Sequence, residues 1–250
     1  MEEMFFFDAN CRIGNGPFGV HPGVDGLLAE MDIFGIDKAL VRCNDADQLS
    51  VQAFNREISR MVKSDLSGRL TGVWCILPEQ CPELPPPEEF FAQMRANRIG
   101  AITLFPKAHG FMASKLSLGN ILGEAAERKI PVMLYNCYRN EEFVYNFLAE
   151  FPNLTAILNA GNKWGTDRTL RPLLEHYENV YLETSGYWVP EGIRDLAEIY
   201  GAERLIYGSG FPTFDYGSSM LQLKYSGLPD DAVRKIAGGN LQNLLKGCDL

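Results

Sequence analysis

The chain has 250 residues, 46% of them hydrophobic, with a net charge of −9 and a pI near 4.9. This length and apolar content are enough for one extensive hydrophobic core. The negative charge argues against nucleic acid and anionic membrane surfaces as main partners, although a local arginine can still bind a small anion.

The N-terminal segment "MEEMFFFDAN" has neither the basic start nor the long apolar run and small-residue cleavage site of a signal peptide. No apolar run approaches the roughly 20 residues that a membrane helix needs. The six cysteines show no CxxC spacing, which is typical of reduced thiols rather than a disulfide framework. We therefore expect a cytoplasmic protein without a membrane partner.

Short apolar runs, rich in β-branched and aromatic residues, alternate with amphipathic segments along the chain. Such runs are typical of strands that are buried on both faces. The pattern predicts eight strands, over residues 4–9, 38–43, 70–75, 100–105, 130–136, 155–160, 179–185 and 204–209. Helical patterns fill the intervals between them, and a last predicted helix over 229–247 closes the chain.

Eight strand–helix units in about 250 residues match the size of a single (β/α)₈ barrel. We expect one such domain over residues 1–250. A doubly wound open sheet is the alternative, but no Gly-rich phosphate turn follows the first strand. The nearest candidate, "GNGPFG" at 14–19, leads into a Pro/Gly loop and not directly into a helix.

In such a barrel the chemistry lies at the C-terminal ends of the strands. Because alternate strand residues share a face, Asp8, Asn10 and Arg12 are predicted to lie on one side of the first strand. The later strand ends supply a second group of side chains: Arg42, Cys43, Cys75, Thr103, Tyr135, Asn136, Asn159, Glu183 and Thr184, with Gly210 at the eighth.

Several of these segments carry a family resemblance. The motifs are "FDANCRIG", "IPVMLYN", "TAILNAGNKWG", "NVYLETSG", "LIYGSGFP" and "KIAGGNLQNLL", in order and at barrel spacing. In them the chain resembles the amidohydrolase superfamily, specifically its amidohydrolase-related branch of metal-dependent hydrolases and decarboxylases. The resemblance extends over nearly the whole sequence and implies a barrel of the metal-dependent hydrolase type.

The resemblance also implies where the metal ligands of the family should stand. Its first-strand His-x-His pair falls on Asn10 and Arg12, its fifth- and sixth-strand histidines on Tyr135 and Asn159, and its eighth-strand aspartate on Gly210. A zinc-type ion needs imidazole, thiolate or carboxylate ligands, and arginine cannot deprotonate in a protein. We therefore expect no metal and no other cofactor.

Arg12 is the main candidate for ligand binding, because its planar donors suit a carboxylate or phosphate. Lys107 and Arg42 are further positive groups near the same mouth. The alternative for Arg12 is a structural salt bridge to Asp8, Glu183 or another mouth carboxylate, since buried arginine is rarely left unpaired.

The remaining candidates each have two interpretations. Asn10 and Asn159 either bind a ligand or satisfy each other and the strand ends. Tyr135 is either a general acid or oxyanion donor, or it fills the vacated metal space. The loop residues His109 and Asp215 are further catalytic candidates, and His21 lies in the loop after the first strand. A set of cysteines at strand ends is either reactive or simply apolar: Cys11, Cys43, Cys75 and Cys137.

Three functions remain open. The first is a catalytically silent homologue that binds a small anionic molecule at the barrel mouth. The second is a metal-independent hydrolase, lactonase or lyase that holds the substrate carboxylate with Arg12. The third is a structural or interaction protein without a ligand. The sequence leaves open whether the chain forms a homo-oligomer.

Overall fold

The computed structural model describes residues 4–14, 23–44, 50–135, 137, 140–161 and 163–250. Eight parallel strands form its main sheet: β1 (Phe7–Ile13), β2 (Lys38–Cys43), β3 (Leu70–Cys75), β4 (Ile99–Thr103), β5 (Val132–Leu134), β6 (Ala156–Asn159), β8 (Val180–Glu183) and β10 (Leu205–Ile206). Two short strands, β7 (Lys163–Trp164) and β9 (Tyr187–Trp188), pair beside it.

Helices alternate with these strands. They are α1 (Val24–Phe34), α2 (Val51–Ser64), α3 (Pro87–Ala96), α4 (Lys115–Glu127), α5 (Glu141–Glu150), α6 (Arg171–His176), α7 (Gly192–Tyr200) and α8 (Tyr216–Lys224). A C-terminal unit follows, with α9 (Asp230–Arg234), a π-helical turn (Lys235–Gly239) and α10 (Asn240–Lys246). None of the helices in the described part of the chain combines the length and apolar character needed to cross a bilayer.

The first and last strands of the sheet close on each other. Three backbone hydrogen bonds join β1 to the segment that directly follows β10: Ala9 N to Tyr207 O (3.0 Å), Gly210 N to Asn10 O (3.1 Å) and Arg12 N to Phe211 O (2.9 Å). The predicted (β/α)₈ barrel is thereby confirmed. The carboxyl ends of all eight parallel strands consequently surround one mouth.

Two apolar layers stabilise the barrel. The larger lies between the sheet and the helices. The smaller fills the barrel interior with Leu241 from α10 and with side chains from seven of the eight strands: Phe7, Ala9, Leu40, Val73, Ala101, Met133, Ile157 and Ile206. Because inward and outward residues alternate along a strand, these layers show which strand-end side chains face the mouth.

Candidate functional site

A β-bulge in β1 separates two of the predicted site residues. The register of β1 against β2 shifts between Asp8 and Cys11. Asp8 faces the helix layer, where its carboxylate accepts a hydrogen bond from Cys11 Sγ (2.8 Å) and that thiol also contacts Tyr216 of α8 (3.0 Å). Asn10 faces the barrel interior. The predicted common face for Asp8 and Asn10 is therefore wrong, because the extra residue of a bulge breaks the two-residue period.

The outward network around Asp8 holds the barrel closed. Its carboxylate also accepts from the backbone N–H groups of Asn10 and Ser209, each at 2.9 Å, and from the Ser209 hydroxyl. Burial raises the pKa of Asp8 against the opposing effect of these donors. Asp8 thus links β1 to the segment after β10 and lies away from the mouth.

Glu183 is the centre of the inward-facing cluster. Its Oε2 accepts from Asn10 Nδ2 (3.1 Å), Asn159 Nδ2 (2.6 Å) and Ser185 Oγ (2.8 Å), and its Oε1 from Ser185 N (2.5 Å). The residue is fully buried, and this burial raises its pKa to about 7. Asn10 and Asn159, which the family resemblance aligns with metal ligands, therefore point their amide groups at a carboxylate.

Two glycines shape the space around this cluster. A Cβ on Gly208 would overlap Glu183 Oε1, so glycine is required there for the carboxylate to occupy its position. Gly210 has a φ of +75°, and a Cβ on it would lie 2.7 Å from Phe214 Cδ2. Gly210, which the family resemblance aligns with the catalytic aspartate, thus combines a left-handed backbone with close packing, and both disfavour a side chain.

Arg12 and Arg42 form a like-charged pair at the mouth. They are register partners in the β1–β2 ladder, and their outward neighbours (Cys11, Ile13, Val41, Cys43) belong to the outer core. Both Nε atoms are buried and have no hydrogen-bond partner among the residues that the structure describes. Burial, and next the charge of Arg42, lower the pKa of Arg12 to about 10, so Arg12 stays protonated at neutral pH.

The alternative interpretation of Arg12, a salt bridge to Asp8 or Glu183, does not match the described contacts. Asp8 lies on the opposite face of β1, and the Glu183 oxygens are occupied by other donors. Across the described residues, no carboxylate forms an ion pair with either Arg12 or Arg42.

Tyr135 packs beside this pair. The Arg42 guanidinium lies 4.2 Å from the centre of the Tyr135 ring, and the Phe105 ring stacks with Tyr135 at a centroid distance of 6.3 Å. Burial raises the pKa of Tyr135 to about 12. The ring shields Arg42 by a cation–π contact, and its phenol remains protonated at neutral pH.

The other predicted catalytic residues lie elsewhere. Asp215 is exposed and caps α8, accepting from Ser218 N at 2.8 Å. Lys107 is exposed in the loop after β4. His109 lies with Nδ1 3.8 Å from Cys75 Sγ and its ring edge-on to Phe105. His21 and Asn136 are outside the described residues.

Three of the strand-end thiols, those of Cys11, Cys75 and Cys137, are buried and protonated. Burial is the main cause that raises the pKa of Cys11 well above its usual value and the pKa of Cys75 and Cys137 to about 12. Cys43 is also buried. A nucleophilic cysteine needs a lowered pKa, so these environments favour the apolar interpretation.

A sequence model of the Amidohydrolase family matches residues 22–245. The chain belongs to the amidohydrolase family. A search among curated proteins gives no match.

Solved structures share the amidohydrolase barrel. An uncharacterized TIM-barrel protein from Bordetella bronchiseptica is 18% identical, with a TM-score of 0.72 over 98% of this chain and 99% of that chain. A probable 2-pyrone-4,6-dicarboxylic acid hydrolase from Acinetobacter baumannii, with citric acid bound, is 14% identical, with a TM-score of 0.71 over 97% and 100%. A dihydroxybenzoic acid decarboxylase from a Polaromonas species, with bound manganese and 2-nitroresorcinol, is 14% identical, with a TM-score of 0.72 over 97% of each chain. At these identities the likeness shows the fold alone.

The residues at the mouth do not fit the divalent metal that the family implies. Asn10 and Asn159 turn amide groups toward Glu183, Arg12 presents a cation, and Gly210 has no side chain. Over the ranges that the structure describes, no group of three or more His, Cys, Asp or Glu residues could hold a metal ion. An arginine at this position repels a dication.

Arg42, Glu183 and Ser185 organise the site, although the sequence does not distinguish them from other strand-end residues. The available signal is a charged residue within an otherwise apolar strand, as in "KALVRC" and "NVYLETS". Their pairing with Arg12 and Asn10 depends on strand register and on the bulge, which the sequence pattern does not predict.

Proposed function

We propose that this amidohydrolase-family barrel is a metal-free, catalytically silent homologue that binds a small anion at its C-terminal mouth through Arg12 and Arg42. The observation that carries this proposal is that Arg12 and Arg42 are register partners on neighbouring strands and that neither has a carboxylate partner in the described chain.

Electrostatics supports an anionic ligand. Like charges directly opposite each other on neighbouring strands destabilise a sheet, and charged groups taken out of water cost several kcal/mol unless they are paired. The nearest buried carboxylate, Glu183, already accepts four hydrogen bonds. A bound carboxylate, phosphate or sulfate would offset the repulsion through charge-assisted hydrogen bonds worth about 1.5–3 kcal/mol each.

The catalytic alternative, a metal-independent hydrolase, lactonase or lyase, needs a base with an accessible oxygen. Donors occupy both oxygens of Glu183, and Asp215 caps a helix at the surface. These contacts favour binding over turnover. The structural alternative, a barrel without any ligand, is separated from the proposal by the experiment that follows.

The test is thermal unfolding at low salt with acetate, benzoate, citrate, phosphate and sulfate. Wild type is compared with Arg12→Met and Arg42→Met, and with Arg69→Met as a charge-matched control. Arg69 directly precedes the first residue of β3, at the end of the strand that lies away from the mouth, and pairs with Asp32. We expect at least one anion to stabilise wild type and the control but neither mouth variant, with an effect that weakens as salt rises. If no anion stabilises wild type, or if the mouth variants respond equally, the proposal is wrong.

The proposal that the protein binds no metal has its own test. Elemental analysis of purified protein should find no stoichiometric zinc, iron or manganese. About one such ion per chain, lost when a mouth residue is replaced, would overturn it.

A further inference from the structure

The hydrogen bonds around Glu183 have a fixed direction. An ionised carboxylate accepts and does not donate. The single Ser185 hydroxyl proton is directed at Glu183 Oε2 (2.8 Å), so Ser185 Oγ accepts from the amides of Asn10 (2.8 Å) and Asn159 (3.0 Å). The amide NH₂ of Asn10 therefore has two acceptors on the same side.

This direction determines what Asn10 presents on its other side. With its NH₂ group turned to Glu183 and Ser185, its carbonyl Oδ1 points the opposite way. That oxygen is buried and has no hydrogen-bond partner within the described part of the chain. A buried acceptor without a donor is costly, so a native structure normally supplies one.

Arg12 lies two residues after Asn10 and, like it, faces the interior. Two residues along a strand span roughly 7 Å. An anion held by Arg12 and Arg42 can therefore carry, within one small molecule, the donor that Asn10 Oδ1 lacks.

We propose that Asn10 determines ligand specificity, with Oδ1 accepting a hydrogen bond from a hydroxyl or amino group of the anion that Arg12 and Arg42 bind. The ligand class is then a small anion with an O–H or N–H donor a few bonds from its charge. This inference rests on the proposed function and adds a second recognition element to it.

Glu183 is the positioning residue in this arrangement. In Glu183→Gln the side-chain amide can donate to Asn10 Oδ1, which lets Asn10 turn its NH₂ group toward the mouth. The substitution leaves Asn10 itself unchanged. It should remove the preference for a donor on the ligand, a result that a merely structural role for Glu183 does not give.

The experiment measures binding at pH 8, where Glu183 is ionised because its pKa is about 7. The probes are pairs that exchange a hydroxyl for a methyl group: glycolate and propionate, 3-hydroxypropionate and butyrate, 4-hydroxybutyrate and valerate. Each pair is titrated into wild type, Asn10→Leu, Glu183→Gln and Arg12→Met.

We expect wild type to bind the hydroxy member of the best pair about tenfold more tightly. In Asn10→Leu and Glu183→Gln this preference should fall to within about twofold, while binding still depends on Arg12. Wild type that binds both members equally, through Arg12, would overturn the inference but leave the proposed function standing. A preference that survives in Glu183→Gln would also overturn it, even if Asn10→Leu does not fold. Absence of all anion binding would overturn the proposed function as well.

Discussion

Arg12→Met should make the ligand-free protein more stable, which is an unusual outcome for removing a partly buried polar side chain. The free protein holds Arg12 opposite Arg42 without a carboxylate partner. Methionine keeps most of the apolar stem and removes the charge, so packing is largely preserved while the repulsion disappears. Residues retained for binding often reduce stability in this way.

The lowered pKa of Arg12 gives the size of the effect. A change from 12.5 to about 10 corresponds to roughly 3 kcal/mol against the charged form in the folded protein. Because Arg12 is only partly buried, solvent screening reduces this figure. We expect a net gain of about 1–2 kcal/mol in unfolding free energy.

The assay is urea unfolding in a buffer of low anion-binding capacity, with Arg171→Met as the matched control. Arg171 is also partly exposed (29%), but it pairs with Asp167 at 2.8 Å and Asp195 at 2.5 Å. Its replacement should destabilise the protein by about 1–3 kcal/mol. If Arg12→Met loses stability to the same extent as Arg171→Met, Arg12 is a structural residue and our reasoning is refuted.

Three further outcomes are expected. Gly210→Asp should lower the unfolding free energy by roughly 1–3 kcal/mol, because the new Cβ lies 2.7 Å from Phe214 Cδ2 at a φ of +75°. The variant should not bind a metal ion, and either normal stability or bound metal by elemental analysis would contradict this prediction. Burial raises the pKa of Glu183 from 4.5 to about 7, so its contribution is fully present below pH 4.5 and lost as pH rises through 7. Urea unfolding should therefore show wild type losing up to about 3 kcal/mol relative to Glu183→Gln between pH 4.5 and 8, and parallel curves would refute it. Native thiol labelling, mapped by mass spectrometry, should modify partly exposed Cys81 well before buried Cys11 and Cys75; the reverse order would indicate a reactive thiol.

The fold could be predicted from the sequence because the alternation of apolar runs and amphipathic segments is repeated along the chain. Each of the eight barrel strands overlaps a predicted run, and the second and third coincide with it, at 38–43 and 70–75. The errors lie at strand ends. The fifth strand, Val132–Leu134, is shorter than the predicted 130–136, whereas the first, Phe7–Ile13, continues past its predicted end at residue 9. The small β7–β9 pair was not predicted, since two-residue strands give no periodic signal.

The site could be predicted less fully from the sequence, because its contacts join residues that lie far apart along the chain. The positions of Asn10, Arg12, Tyr135 and Asn159 follow from family spacing, but their partners do not. A single bulge in β1 turns Asp8 outward and Asn10 inward. No periodic rule identifies a bulge between two polar residues.

Under the proposed function, replacing a metal ion by guanidinium groups changes what the mouth can do chemically. A divalent metal attracts anions and also lowers the pKa of a bound water, which supplies the nucleophile. A guanidinium offers a fixed charge and planar donors, but it has no open coordination position for water. Arg12 and Arg42 can therefore preserve anion affinity without preserving hydrolysis. The same substitution explains why Asn10 is compatible with this mouth. A metal ligand must turn an electron pair toward the ion, whereas here the amide of Asn10 donates inward to Glu183, and its carbonyl oxygen is left for the ligand.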